Sequence, residues 1–288
     1  MINTPTPVEI VQRIQFDDVV KQVQALPSLP AVVMELFNSI DQENVDISVL
    51  AKKVSHDLAL TAKTLRFANS SFYGTSSKVT TIQQAITLLG VDNLRNLITV
   101  AAISVSFPEN ICAGFNFKTF WRHSIATAIC AKLLARHLHV NTDYAFTSGL
   151  LHDIGRLVLV TRFPDHYAAT LAYRAANDCY LLEAERAVLG IDHVVAGHAL
   201  AIHWNFSEIM QAAIVEHHEP ESADRDLLVS IIHVANSIVH GLDLGNDDDD
   251  LVPPVSLVAW NNLALSEQIY RQVFRETEQQ FKQLNQAI

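Results

Sequence analysis

Residues that interrupt helices are rare along this chain, and this scarcity limits what it can fold into. Nine glycines and nine prolines are spread over 288 residues, too few to punctuate many short strands and turns. Apolar residues instead recur at intervals of three and four, most clearly over residues 117–138, which is the spacing of one helix face. No segment shows sustained two-residue alternation. The sequence therefore predicts an all-α fold without a sheet of consequence.

Interruptions of this pattern divide the chain into four predicted parts. We expect an N-terminal helical lobe over residues 1–107 and a helical core over residues 108–242. Residues 243–254 form an acidic, proline-containing linker. Its run of aspartates lacks the ligand spacing of a calcium loop, so we interpret it as solvated. Residues 255–288 predict a C-terminal amphipathic helix that packs on the body or on a partner.

Charge and apolar content exclude several classes of protein. The formal net charge is −11, which repels phosphate backbones, so we expect no nucleic-acid partner. The most apolar stretch, residues 97–107, is too short to span a membrane, and the first residues lack the apolar region of a secretory signal. Three widely spaced cysteines without a C-x-x-C pair are typical of reduced thiols. We expect a cytoplasmic protein with no membrane partner.

A break at residues 90–92 separates two helical stretches, and Asp92 is the predicted N-cap of the second stretch. The break resembles the turn of a helix-turn-helix. The second stretch, however, carries only Arg95 as a cation, which favours packing inside the lobe over DNA binding.

The doublet His152-Asp153 is predicted within a strongly apolar helix. Aspartate is rarely buried without a partner, so this carboxylate requires a counter-charge or a metal ion. Gly149 and Gly155 are small enough for another element to approach closely. His123 is also expected to face inward, because its neighbours at helical spacing are apolar or small.

More imidazoles follow at His193 and at the doublet His217-His218. Adjacent residues on a helix diverge by a large angle, so the doublet is not expected to bind one ion from one face. Its members can serve two neighbouring ions, or one can bind metal while the other meets phosphate. Imidazole with carboxylate suits zinc, iron or manganese, and two such ions can generate hydroxide for attack on phosphate. The histidines interpreted as core residues are His56, His137, His139, His166, His198, His203 and His240.

The order and context of these residues resemble the HD phosphohydrolase superfamily, especially its HD-GYP branch. The N-terminal half resembles HDOD proteins, the HD-related output domains of bacterial signalling. The segments that carry the likeness are 26–30 (LPSLP), 56–61 (HDLALT), 68–70 (ANS), 72–74 (FYG), 84–90 (QAITLLG), 120–123 (FWRH) and 149–155 (GLLHDIG). They fall within roughly residues 20–240, in an order too long for coincidence. The resemblance implies an HD-domain-like helical bundle with an N-terminal helical lobe.

The same resemblance implies a set of metal ligands and the ion they hold. The ligands are His123, His152, Asp153, His193, His217, His218 and Asn236. The ion is divalent: Fe, Mn, Zn or Mg. If the site is active, Asp153 and Arg156 are the catalytic residues, and Arg156 contacts a phosphate or a carboxylate such as that of Asp153. His233, three residues before Asn236, is either a substitute ligand or a core residue.

Three departures from the HD pattern bear on activity. Asn236 stands where active HD enzymes have an aspartate, so the site loses a negative charge. Arg156 stands where a lysine often follows the HD-x-G motif, which changes the reach of the cation. The GYP loop associated with cyclic-dinucleotide hydrolysis is absent after Glu219.

We therefore expect a bacterial signal-transduction HDOD module with a degenerate HD metal site, and not a robust catalyst. Its partner is expected to be a signalling protein or a small phosphorylated ligand; the sequence specifies neither that partner nor an oligomeric state. The alternative is a metal-dependent phosphohydrolase acting on a nucleotide or phosphodiester, which the retention of six of the seven ligand side chains favours.

Overall fold

The computed structural model describes residues 13–38, 47–69, 78–109, 111–220 and 227–285. Within these ranges every regular element is a helix, which confirms the all-α prediction. The FYG segment of the family likeness lies outside the described residues. No described helix combines the length and the apolar character that crossing a bilayer requires.

Sixteen helices follow one another along the described part of the chain. Six precede the loop after residue 106: α1 Phe16–Gln24, α2 Ala31–Asn38, α3 Ile47–Ser55, α4 Leu58–Ala68, α5 Ile82–Leu89 and α6 Val91–Ser106. Eight follow it: α7 Phe117–Leu138, α8 Thr142–Leu151, α9 Ile154–Arg162, α10 Pro164–Asn177, α11 Leu181–Val188, α12 His193–His203, α13 Glu208–Glu216 and α14 Leu227–Gly241. The last two are α15 Leu257–Leu263 and α16 Glu267–Asn285.

The long helix α7 is the centre around which the site is built. It starts at the predicted residue because the Asn116 side chain accepts hydrogen bonds from two backbone N–H groups of the first turn. It ends at His139, which takes a left-handed conformation (φ 55°). Helices α8, α14 and α16 all pack against α7.

Two glycines allow the helices that carry the site to approach closely. A Cβ on Gly149 would lie 2.8 Å from Cα of Ala128 in α7. A Cβ on Gly155 would lie 1.8 Å from the carbonyl oxygen of His193 and 2.4 Å from the backbone nitrogen of Gly197 in α12. Only hydrogen fits at either position, so the close approach predicted for both glycines is confirmed.

A single hydrophobic core extends from Ile14 to Phe281 across both the predicted lobe and the predicted core region. Helix α1 packs against α12, and the Trp204 indole donates a hydrogen bond to the carbonyl of Pro27 (3.2 Å). The division at residues 107 and 108 therefore stays a prediction based on sequence pattern.

Two details of the predicted helices are wrong. Helix α6 begins at Val91 after Gly90 (φ 81°), so Asp92 is not its N-cap. The segment 255–288 contains two helices rather than one, because Ala264 takes a left-handed conformation (φ 45°) between them. Its predicted packing on the body is confirmed, since α16 lies on α7 and buries Val273 and Phe281.

Candidate metal centre

The doublet His152-Asp153 lies between two helices, not inside one as predicted. Helix α8 ends at Leu151 and α9 begins at Ile154. Asp153 has φ −96° and ψ 11°, a sparsely populated backbone region that is common at functional sites. The turn directs both side chains into the interior, where His152 is 0% and Asp153 5% exposed.

The six predicted histidine and aspartate side chains converge on one interior region, as two adjoining groups of potential metal ligands. One group is His123, His152 and Asp153; the other is Asp153, His193, His217 and His218. Within each group the ligand atoms lie within 4.8 Å of one another. Asp153 belongs to both groups, and its Oδ1 lies 3.3 Å from Nε2 of His193 and 3.3 Å from Nε2 of His217. This buried set can hold a metal ion, and its shape permits two neighbouring ions that share one carboxylate.

The doublet His217-His218 contributes both rings to the same group, contrary to the expectation from helix geometry. Helix α13 ends at Glu216, so the doublet lies just beyond the helix. The two ring centroids are 4.1 Å apart. Nε2 of His193 lies 2.9 Å from Nε2 of His218 and 3.4 Å from Nε2 of His217.

Hydrogen bonds on the far side of three rings fix which ring nitrogen faces the centre. Nδ1 of His152 and Nδ1 of His217 each lie 2.8 Å from the carbonyl oxygen three residues earlier. Nδ1 of His193 lies 2.6 Å from Oε2 of Glu185. Carbonyls and carboxylates only accept, so these Nδ1 atoms donate, and the Nε2 atom of each ring faces Asp153, where it offers a lone pair whenever it carries no proton. Such a set repels itself without a cation, so the donor atoms fit a metal ion.

Burial keeps most of these rings neutral. It lowers the pKa of His123 and His218 well below the ordinary value, and that of His152 to about 4. His193 differs: burial opposes its protonation, but the nearby carboxylates, chiefly that of Glu185, raise its pKa to about 8. Without metal, a proton on His193 supplies the cation at neutral pH.

Asn236, the seventh predicted ligand, lies on α14 and lines the same cavity as His123. Its Oδ1 atom is buried and has no hydrogen-bond partner in the described structure, which fits an oxygen atom that is available to coordinate a metal ion. The role of His233 as a substitute ligand is wrong. Its Nδ1 donates to the carbonyl of His217 (2.7 Å) and its Nε2 accepts from the backbone N–H of Ser256 (2.8 Å).

Arg156 contacts the carboxylate of Asp153, one of the two kinds of partner, phosphate or carboxylate, that the sequence left open. Its Nη1 donates to Oδ2 of Asp153 (3.1 Å) and its Nε donates to the hydroxyl of Tyr167 (3.4 Å). The Tyr167 hydroxyl donates to Oε1 of Glu185 (3.0 Å), and Glu185 also accepts from the backbone N–H of His193 (2.8 Å). Sequence reasoning missed Tyr167 and Glu185, since no motif marks two residues on separate helices as partners.

A cavity of about 290 Å³ opens beside the ligand groups. Part of the linker predicted to be solvated lines this cavity, so that interpretation is wrong for Asp247 and Asp250, whereas Asp248 and Asp249 are exposed. Asp247 and Asp250 contact Arg174 of α10, at 3.1 Å and 3.6 Å. The linker is held there because its carboxylates neutralise a buried cation.

None of the seven histidines interpreted as core residues is fully buried: His137, His166, His198 and His203 are half-buried, and the other three lie elsewhere. His240 lines the cavity, with its ring centroid 4.5 Å from that of His123 and its Nδ1 2.5 Å from Oδ2 of Asp250. His56 and His139 are exposed. Sequence reasoning missed the position of His240 because the partner that holds it belongs to the acidic linker.

An all-α fold around a buried His/Asp group that can hold metal relates this chain to signalling and phosphohydrolase proteins. The HDOD domain family matches residues 26–220. The chain belongs to the HDOD family.

Individual relatives agree with this family. The chain is 26% identical over 208 residues to the cyclic di-GMP phosphodiesterase CdgJ of Vibrio cholerae, a match that covers 68% of this chain and 46% of that protein. A crystal structure of an HDOD domain protein of unknown function from Geobacter sulfurreducens has a TM-score of 0.74 at 21% identity, covering 95% of this chain and 99% of the other. A protein from Shewanella amazonensis SB2B, named provisionally as a phosphohydrolase, has a TM-score of 0.67 at 27% identity, covering 94% and 98%. The chain spans less than half the length of the curated relatives that match most of it.

Proposed function

We propose that this chain is a bacterial signal-transduction HDOD module that binds a divalent transition-metal ion in a degenerate HD site and is not a robust phosphoester catalyst. The observation that carries the proposal is the composition of the site. Five imidazoles adjoin Asp153, whereas the residue proposed as the last ligand is the neutral Asn236, whose buried Oδ1 has no hydrogen-bond partner in the described structure. Imidazole retains affinity for a transition ion, but one carboxylate fewer leaves less negative charge to bind a second ion.

The imidazole-rich donor set selects among the candidate metals. Zinc, iron and manganese accept several nitrogen ligands, whereas magnesium favours oxygen ligands and keeps its waters. Iron, manganese or zinc therefore fits the proposed site better than magnesium. The activity in the name of the Vibrio relative is not carried over, because the match leaves more than half of that protein uncovered.

A metal-dependent phosphohydrolase remains the second candidate, favoured by the two adjoining ligand groups that share Asp153. In such an enzyme the bound ions would supply hydroxide and polarise the phosphate. Arg156 would hold the Asp153 carboxylate in place, since its guanidinium contacts that group.

Metal analysis and turnover assays separate the two candidates. Protein purified without chelator is analysed for bound metal and then incubated with nucleotides and cyclic dinucleotides, beside the variants His152→Ala and His139→Ala. The proposal expects bound metal in the parent protein and in the exposed-site control His139→Ala, loss of metal in His152→Ala, and no significant turnover. About two equivalents of metal with turnover that His152→Ala abolishes would establish the enzyme instead. Protein that takes up none of manganese, iron and zinc would contradict both candidates.

A further inference from the structure

The acidic segment, residues 243–254, crosses the cavity and is anchored at both ends. At its start Leu244 is buried, and the carbonyl of Gly245 accepts a hydrogen bond from Nε of Arg122 (3.2 Å). Just beyond its end, the backbone N–H of Ser256 donates to Nε2 of His233 (2.8 Å). Between these anchors Asp247 and Asp250 line the cavity, whereas the side chains of Asp248 and Asp249 are exposed.

Arg174 is the cation that the acidic segment contacts. It lies on α10 and is 6% exposed. Its Nη1 donates to Oδ2 of Asp247 (3.1 Å), and Nη2 contacts the carbonyl of Asp249 and lies 3.6 Å from Oδ1 of Asp250. Its Nε is buried without a hydrogen-bond partner in the described structure. The polar contacts seen for this guanidinium all come from the acidic segment.

The other two arginines that line the cavity have partners in the body of the protein. Arg156 contacts Asp153 and Tyr167. Arg186 pairs with Asp192 and Glu219. Arg174 alone among these three cavity arginines has partners that a loop movement can remove without disturbing helix packing.

We propose that Arg174, together with His240, forms an anion-binding subsite at the mouth of the cavity. In this structure the carboxylates of Asp247 and Asp250 occupy the subsite in the place of a phosphate group. A small phosphorylated ligand binds by displacing the acidic segment. This inference rests on the proposed function: it names the class of ligand that the module binds and the segment that controls its binding.

The chemistry of the subsite fits phosphate. A planar guanidinium donates two parallel hydrogen bonds to phosphate as it does to carboxylate, and His240 adds a donor now bound to Asp250 (2.5 Å). The cavity of about 290 Å³ limits the ligand to a small molecule. The net charge of −11 disfavours a polymeric polyanion.

His233 connects the acidic segment to the metal centre, so displacement of the segment affects the metal centre through this residue. His233 accepts a hydrogen bond from Ser256 on one ring nitrogen and donates to the carbonyl of His217 from the other (2.7 Å). Ligand binding at Arg174 and the position of His217 are thereby coupled, which gives the module a route from ligand to metal site.

Pyrophosphate binding tests the subsite with isosteric variants. Inorganic pyrophosphate is titrated calorimetrically in the presence of EDTA into the parent protein, into Asp247→Asn/Asp250→Asn and into Asp248→Asn/Asp249→Asn. The two double variants change the net charge equally, but the side chains of the control pair are exposed. Loss of the competing carboxylates is expected to tighten binding at least about tenfold, and the control is expected to change by less than about twofold. Adding Arg174→Gln to the first double variant removes the gain.

Amide hydrogen exchange supplies a second readout on the parent protein. Pyrophosphate is expected to accelerate exchange in residues 243–256, because the ligand replaces the acidic segment. Equal affinities of the two double variants, or binding that leaves this exchange unchanged, overturn the inference. Binding of manganese, iron and zinc is measured separately: failure to bind any of the three contradicts the proposed function, while the EDTA titration still decides the subsite.

Discussion

Three buried rings of the metal centre are oriented by a partner on the outer nitrogen. His152 and His217 donate to backbone carbonyls, whereas His193 donates to the carboxylate of Glu185. The carbonyl partners fix the tautomer only, while the carboxylate also raises the basicity of the ring it holds. Asn236 is a proposed ligand whose side-chain oxygen has no hydrogen-bond partner among the described residues. Because of these differences, substitutions of single residues test separate parts of the metal centre.

Asn236→Asp is expected to tighten manganese binding about tenfold or more, because it returns a negative charge to the site. The metal-free variant is expected to melt at a lower temperature than the parent, since the new carboxylate is buried without a partner. Calorimetric titration and thermal melts measure both effects. The exposed Asn205→Asp serves as a charge-matched control and is expected to change neither. Unchanged manganese affinity in Asn236→Asp would show that residue 236 does not contribute a ligand.

Manganese affinity is expected to rise with pH because of His193. With a pKa of about 8, its Nε2 carries a proton at neutral pH that the metal must displace. Below pH 8 the affinity is expected to gain about tenfold per pH unit, and above pH 8 it levels off. Titrations between pH 6.5 and 8.5 measure the slope.

Glu185→Gln supplies the control for this pH dependence. The amide still accepts the hydrogen bond from His193 but no longer raises its pKa, so the slope between pH 7 and 8 is expected to disappear. The affinity itself falls by about tenfold or more, as for other residues that orient a metal ligand. An unchanged slope in Glu185→Gln would contradict the role of this carboxylate.

Helix ends, rather than helix faces, carry much of the site. Asp153 lies between α8 and α9, His193 opens α12, and the doublet His217-His218 follows α13. These ends meet because α9 and α12 touch backbone to backbone at Gly155 and Gly197. The distance between Asp153 and His193 therefore depends on the packing of two helices.

Gly155→Ala is expected to separate α9 from α12, because its Cβ would lie 1.8 Å from the carbonyl oxygen of His193. A clash with backbone is expected to cost about 3 kcal/mol or more and to lower Tm by at least about 6 °C. Gly241→Ala is the control, since its Cβ would meet only Val252 at 3.9 Å. Thermal melts measure the difference, and equal Tm values for the two variants would contradict the close packing.

At the scale of the whole molecule, one core connects the N-terminal helices, the metal centre and the C-terminal helix. Arg122 on α7 links two of these parts, since it lies over the ring of Phe281 (5.1 Å) and donates to Gly245 of the acidic segment. Ions bound at the centre are therefore expected to stabilise the whole chain rather than a local loop.

Manganese at one hundred times its dissociation constant is expected to stabilise the protein by about 2.7 kcal/mol, which raises Tm by roughly 5–10 °C. Magnesium at the same concentration is expected to give a smaller shift, because the donors are mostly imidazoles. Thermal melts with each ion, and again after addition of EDTA, measure the effect. A magnesium shift equal to that of manganese would contradict the imidazole-rich site.

The helices were determined largely by the sequence itself. Helical periodicity is local, so α7 was predicted over its observed residues and the break at residues 90–92 was placed correctly. Two signals of packing were also local: a charged doublet among apolar residues and glycines beside it predicted a close interior contact. Which of the distant histidines belong together was predicted only through the family resemblance.

Only the tertiary structure decided how these residues meet. Glu185 and Tyr167 reach the centre from different helices, and Arg174 meets the acidic segment from more than seventy residues away. No sequence period encodes such pairs, because they depend on how helices cross rather than on their own repeat. The doublet His217-His218 was misjudged for a related reason: where a helix ends decides whether adjacent rings diverge or meet. The resemblance therefore identified the residues, whereas packing fixed the geometry that brings their ligand atoms together.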